Sequence, residues 1–62
     1  MQPLISIDQV KVGDRILLSM NPDGGGIWYN VTSIGNYWMQ LNNENESWAI
    51  GTINLEKHYL WI

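Results

Sequence analysis

The stretch Ile27–Leu41, IWYNVTSIGNYWMQL, decides the fold. Two runs rich in aromatic and β-branched residues flank Gly35-Asn36, the pattern of a β-hairpin. One arm is expected over Ile27–Ile34 and the other over Tyr37–Leu41. In the second arm Tyr37, Met39 and Leu41 share one side, with Trp38 and Gln40 on the other. In the first, Tyr29 and Val31 alternate with Trp28, Asn30 and Thr32. Ile34 falls out of phase with Val31, and one extra residue at Thr32-Ser33, a β-bulge, restores the phase. A glycine-first link of two residues suits a tight turn with positive φ at its first centre.

Upstream, Pro3 limits regular pairing at the N-terminal end. Leu4, Ile5 and Ile7 make a short apolar opening, with Ile5 and Ile7 in strand phase. Gly13-Asp14 is a turn signal, with Gly13 free to take positive φ. Arg15–Met20, RILLSM, is a strand whose second face, Leu17 and Ser19, is also partly apolar, so something packs over it. Asn21-Pro22-Asp23-Gly24-Gly25-Gly26 is a loop begun by a proline turn, and the three glycines make it the segment expected to move most. Because Ile27-Trp28-Tyr29 follows it instead of Lys-Ser/Thr and a helix, it is not a phosphate cradle.

Downstream, Asn42–Ser47 is a second polar loop, and Trp48-Ala49-Ile50 is a short strand. Asn54-Leu55-Glu56-Lys57 suits one helical or 3₁₀ turn capped by Asn54. His58–Ile62, HYLWI, closes the sheet. Its Tyr59 and Trp61 fall on one side and Leu60 and Ile62 on the other. One side faces the core. The other is covered either by Leu4-Ile5 or by a second molecule.

The chain has 62 residues and reads as one domain over 1–62. A chain of this size buries only about 60% of its extended surface. It is 45% hydrophobic, with four Trp, three Tyr and no Phe. Cysteine is absent, which excludes disulfides and thiolate metal sites. No apolar run approaches the roughly 18 residues that span a membrane. The opening MQPLISIDQVKVGD has no basic region followed by a long apolar one, so no secretory signal is expected and the location expected is cytoplasmic. Asn30-Val31-Thr32 and Asn45-Glu46-Ser47 then match the glycosylation pattern by chance. Three basic residues against six acidic ones give a net charge of −3. A phosphate-dominated nucleic-acid binder needs a basic footprint that Lys11, Arg15 and Lys57 do not supply.

Five short strands with one helical turn before the last fit a small twisted barrel, in which closure removes exposed strand edges. The segment Val10-Lys11-Val12-Gly13-Asp14-Arg15-Ile16 resembles the lead-in to the first strand of SH3-like barrels, including the translation-factor and Tudor-like branches. The helical turn before the closing strand resembles that superfold too. The resemblance implies an all-β, five-stranded SH3-like barrel. In its peptide-binding branch, acidic and aromatic loop residues grip proline-rich segments, and those signatures have no counterpart here.

The aromatic residues are the candidate binding surface. By phase, Trp28 and Trp38 leave the face opposite Tyr29, Val31, Met39 and Leu41, and adjacent strands would set them side by side. Tyr37 and Trp61 add to them, and Asp23 with the glycine loop flanks them. The competing reading makes the tryptophans the core and reverses the faces. Asp8, Asp14 and Asp23 sit near turns, where short carboxylates bind local amides. His58 stands alone, without the partners that metal binding or acid–base work requires. Serines lack a base and an orienting carboxylate, and a small barrel leaves little room for a deep pocket.

These readings make the chain a non-enzymatic protein-interaction module without cofactor or metal, its partner an unidentified protein or a second copy. The alternatives are a nucleic-acid contact module using the same rings for stacking, a small acidic inhibitor, and a structural subunit of a larger assembly.

Overall fold

The computed structural model describes residues 1–21 and 23–62, so the turn expected to start at Pro22 lies outside the described residues. Five antiparallel strands form one sheet: β1 (Arg15–Leu18), β2 (Ile27–Ile34), β3 (Trp38–Asn42), β4 (Ser47–Gly51) and β5 (Leu60–Trp61). Their order is β4-β3-β2-β1-β5. The sheet curls into a half-barrel with a 3₁₀ turn, Leu55–His58, before the last strand, which is the SH3-like layout. Closure is incomplete among the described residues. β4 pairs only with β3 and stays an edge.

The hairpin is the centre of this sheet. Its register runs Asn30↔Asn42 and Val31↔Leu41, then shifts to Ser33↔Gln40 and Ile34↔Met39. The bulge therefore lies where the phase of Ile34 demanded it. It turns Val31 and Ile34 to the same side. The turn itself differs from expectation. Gly35 donates its N–H to the Trp38 carbonyl at 2.8 Å, which leaves Asn36 and Tyr37 at the tip, and Gly35 is not among the residues with positive φ. Its lack of a side chain serves a different need. A Cβ there would meet the Trp38 indole, 2.7 Å from Cε2.

The core is aliphatic around a single ring. Leu4, Val10, Ile16, Tyr29, Val31, Met39, Leu41, Leu55 and Leu60 form one buried cluster, with Ile7, Leu18, Ile34, Ile50 and Ile62 packed against it. No tryptophan belongs to it. Each such side chain contributes roughly 1.5–3 kcal/mol when fully buried.

The N-terminal segment departs from strand phase at Ser6. The Ser6 side chain accepts from Asp8 N–H, and Gln9 Oε1 accepts from Ile5 and Ser6 N–H, at 2.8 and 2.9 Å, which caps a 3₁₀ turn over Ile7–Gln9. Before it, Pro3 bridges Trp61, Gln2 and Ile62 exchange both backbone hydrogen bonds, and Leu4 N–H reaches Leu60 O at 2.8 Å. So the N-terminal segment extends the sheet beyond β5 edge to edge, and proline is tolerated there because an edge position can spare its N–H. Gly13, at φ +100°, turns the chain into β1. Asp14 Oδ2 accepts from Lys11 N–H at 3.0 Å, the local role expected of a turn carboxylate. Asn54 precedes the second 3₁₀ turn without a side-chain capping bond. That turn is held from beneath by Leu55, which is fully buried.

Candidate functional site

β1 places Leu17 between two tryptophans. Leu17 stands opposite Trp28 on β2 and opposite Trp61 on β5, and Trp61 in turn stands opposite Pro3. Residues directly opposite share a face. Pro3, Trp61, Leu17 and Trp28 therefore make an apolar row across the outer face of the sheet, away from the core. Leu17 is only 4% exposed although it lies outside the core cluster, which agrees with the expectation of cover over the second face of β1. Gly26 approaches it closely: a Cβ at Gly26 would sit 2.9 Å from Leu17 Cδ1.

The two rings are held differently. Trp61 Nε1 donates to the Ser19 carbonyl at 2.7 Å, which fixes a half-buried indole. Trp28 is 42% exposed. The Arg15 guanidinium sits 4.6 Å from its ring centroid, a cation–π contact worth about 0.5–1 kcal/mol at an exposed site. Asn43 Nδ2 donates to the Trp28 carbonyl at 3.2 Å. The row thus presents one exposed ring with a cation stacked on it and one anchored ring, over an apolar floor.

Tyr37 and Trp38 lie elsewhere. The faces fall as the alternation requires, yet Trp38 opens β3 beside the turn while Trp28 sits near the start of β2. Extending the Asn30↔Asn42 register by two places puts Trp28 opposite residue 44. The two indoles are not side by side. About six residues of strand separate their levels, roughly 20 Å. Tyr37, at the tip, is 83% exposed and accepts from Thr52 N–H at 3.0 Å. Asp23 is exposed in the loop before β2, its N–H bound to Asn21 Oδ1 at 3.1 Å.

A second feature occupies the open side of the half-barrel. Leu18, Tyr29, Leu41, Trp48, Ala49, Ile50, Gly51 and His58 line an apolar cleft of ≈ 350 Å³. At its floor the Tyr29 hydroxyl donates to Glu46 and accepts from Trp48 Nε1 at 3.1 Å. Burial, and then the bond to Glu46, push the Tyr29 pKa above 10.0. Little room for a deep pocket was expected, and the space present is this cleft on the open side of the barrel. It exists because the sheet stops short of closing. Among the described residues no group of three or more His, Cys, Asp or Glu comes together to hold a metal. No helix is long and apolar enough to cross a membrane among those residues.

Leu17, Arg15 and Pro3 complete the outer row and were not foreseen as site residues. Leu17 did carry a signal, being an apolar residue on the unexpected face of β1. Comparisons with known proteins leave the geometry to speak for itself: no family model, no curated protein and no solved structure matches the chain.

Proposed function

We propose that the chain is a non-enzymatic protein-interaction module, one domain over residues 1–62, that acts in the cytoplasm without cofactor or metal. It takes an extended segment of a partner protein along the outer-face row, with Trp28 as the principal contact and Trp61 as its fixed neighbour. Asp23 and the glycine loop border that row, and Tyr37 with Trp38 gives a second point of contact at the hairpin tip. The observation that carries the reading is a large ring, Trp28, left 42% exposed over a floor that the chain has already made apolar. Exposed rings beside apolar ground mark contact surfaces. Nucleic acid is the poorer partner, because only Arg15 brings positive charge to the row.

The test is selection of extended peptides from a displayed random library, followed by ¹H–¹⁵N mapping on the protein. Ligands should shift the Trp28 and Trp61 indole signals and the Leu17 amide. Trp28→Ala should keep the fold, since this ring lies outside the core, and weaken binding about 30-fold, the loss expected for a hot-spot ring worth ~2 kcal/mol. Unchanged affinity in a folded Trp28→Ala variant would remove the assignment.

A further inference from the structure

We infer that the β4 edge pairs with the β4 edge of a second copy of this chain, in antiparallel register centred on Ala49. The inference goes beyond the reading above and uses a different surface, the backbone rim of the open cleft.

The hydrogen bonds at the two ends of the β3–β4 ladder fix which backbone groups are free. Asn43 N–H reaches Glu46 O, and Thr52 N–H reaches Tyr37 O, each at 3.0 Å. Paired and unpaired residues alternate in an antiparallel ladder. The register Asn42↔Ser47 to Trp38↔Gly51 connects those two ends in phase. Trp48 and Ile50 therefore bond inward to β3, and Ser47, Ala49 and Gly51 direct their N–H and C=O groups out from the sheet. Edges of this kind are normally blunted with Lys, Pro or a bulge. Ser47–Gly51, SWAIG, has neither residue, and its pairing with β3 runs without a register shift.

The strand complements itself when read against its own reverse. Centred on Ala49, the outward-facing groups meet outward-facing groups: Ala49 opposes Ala49 and Ser47 opposes Gly51 of the second copy. Their side chains are small and lie on the outer face. On the inner face Trp48 opposes Ile50 of the second copy, an aromatic and β-branched pair of the kind that stabilises sheets. Glu46 opposes Thr52, so no like charges face each other. Trp48 is 50% exposed at the mouth of the cleft, and this pairing covers it. A two-fold axis through Ala49 also makes the contact closed and isologous, limiting assembly to two copies.

The axis supplies the test. Ala49 is exposed and outside the core cluster. Ala49→Lys and Ala49→Glu each set like charges against themselves, so each variant should sediment as a monomer. Mixed in equal amounts they should regain twice the monomer mass, with wild type giving that mass alone. Trp28→Ala should leave the dimer intact, which separates failure here from failure of the peptide surface. In wild type, amide exchange at Ser47, Ala49 and Gly51 should slow as concentration rises while Trp48 and Ile50 stay protected throughout. A wild type that stays monomeric with freely exchanging edge amides, charge variants that dimerise alone, or folded variants that fail to recombine would each overturn the inference.

Discussion

Gly26 shows how much one position carries. Its φ is +135°, a region closed to side-chain-bearing residues, and a Cβ would lie 2.6 Å from the Leu18 carbonyl and 2.7 Å from Ser19 Cβ. Backbone strain and collision act together, so Gly26→Ala should cost about 1–3 kcal/mol, read as a lower urea midpoint at unchanged slope. Gly35 reaches the same residue type by another route, through the indole of Trp38 lying against it. The sequence marks both as turn glycines. Which of them needs an unusual φ and which needs empty space depends on the ring three residues away, and that is tertiary information.

The elements show where local pattern was sufficient. The two hairpin arms and the bulge follow from apolar phase alone, because a single-residue slip would expose Ile34. The 3₁₀ turn before β5 follows from the short polar segment ahead of an apolar end. Phase failed at the N-terminal segment, where Ile5 and Ile7 alternate like strand residues but Ser6 and Gln9 bend the chain into a capped turn. The Ser-x-x-Gln signature was present and outweighed two isoleucines. Phase also gives the face of Trp28 and Trp38 without their height on the ladder, which comes from counting outward from the turn. The last strand is the element on which most depends. Leu60 is 2% exposed, β5 pairs with β1, and Gln2 and Leu4 rest on its far edge. Deleting Tyr59–Ile62 should therefore abolish cooperative unfolding, with the near-ultraviolet dichroism of the indoles collapsing to the denatured signal at 25 °C.

For the whole molecule, one buried hydroxyl ties stability to high pH. Tyr29 is 1% exposed, and burial raises its pKa above the ordinary tyrosine value of 10.0, with the Glu46 bond acting in the same direction. A raised folded-state pKa means that the unfolded chain releases this proton first. The contribution is complete below about pH 10 and is lost as pH climbs through the folded value. The denaturant midpoint should fall above pH 10, and Tyr29→Phe should flatten that fall while lowering stability near neutrality through loss of the Glu46 and Trp48 bonds. Neither the hydroxyl's partners nor the cleft above it was legible in the sequence, because both arise from strands that curl without meeting. The aliphatic core, by contrast, follows from the alternation of Tyr29, Val31, Met39 and Leu41.

Gln2 and Ile62 clasp each other at 2.9 Å in both directions, with Leu4 and Leu60 one step further in. The two ends therefore emerge together from the same rim. Tension applied between them loads a single rung at a time, like a zip drawn from its open end, instead of stressing all rungs in parallel. Handled by its tails, the molecule yields first at the N-terminal clasp, while the hairpin at its middle bears no load until β5 has peeled away.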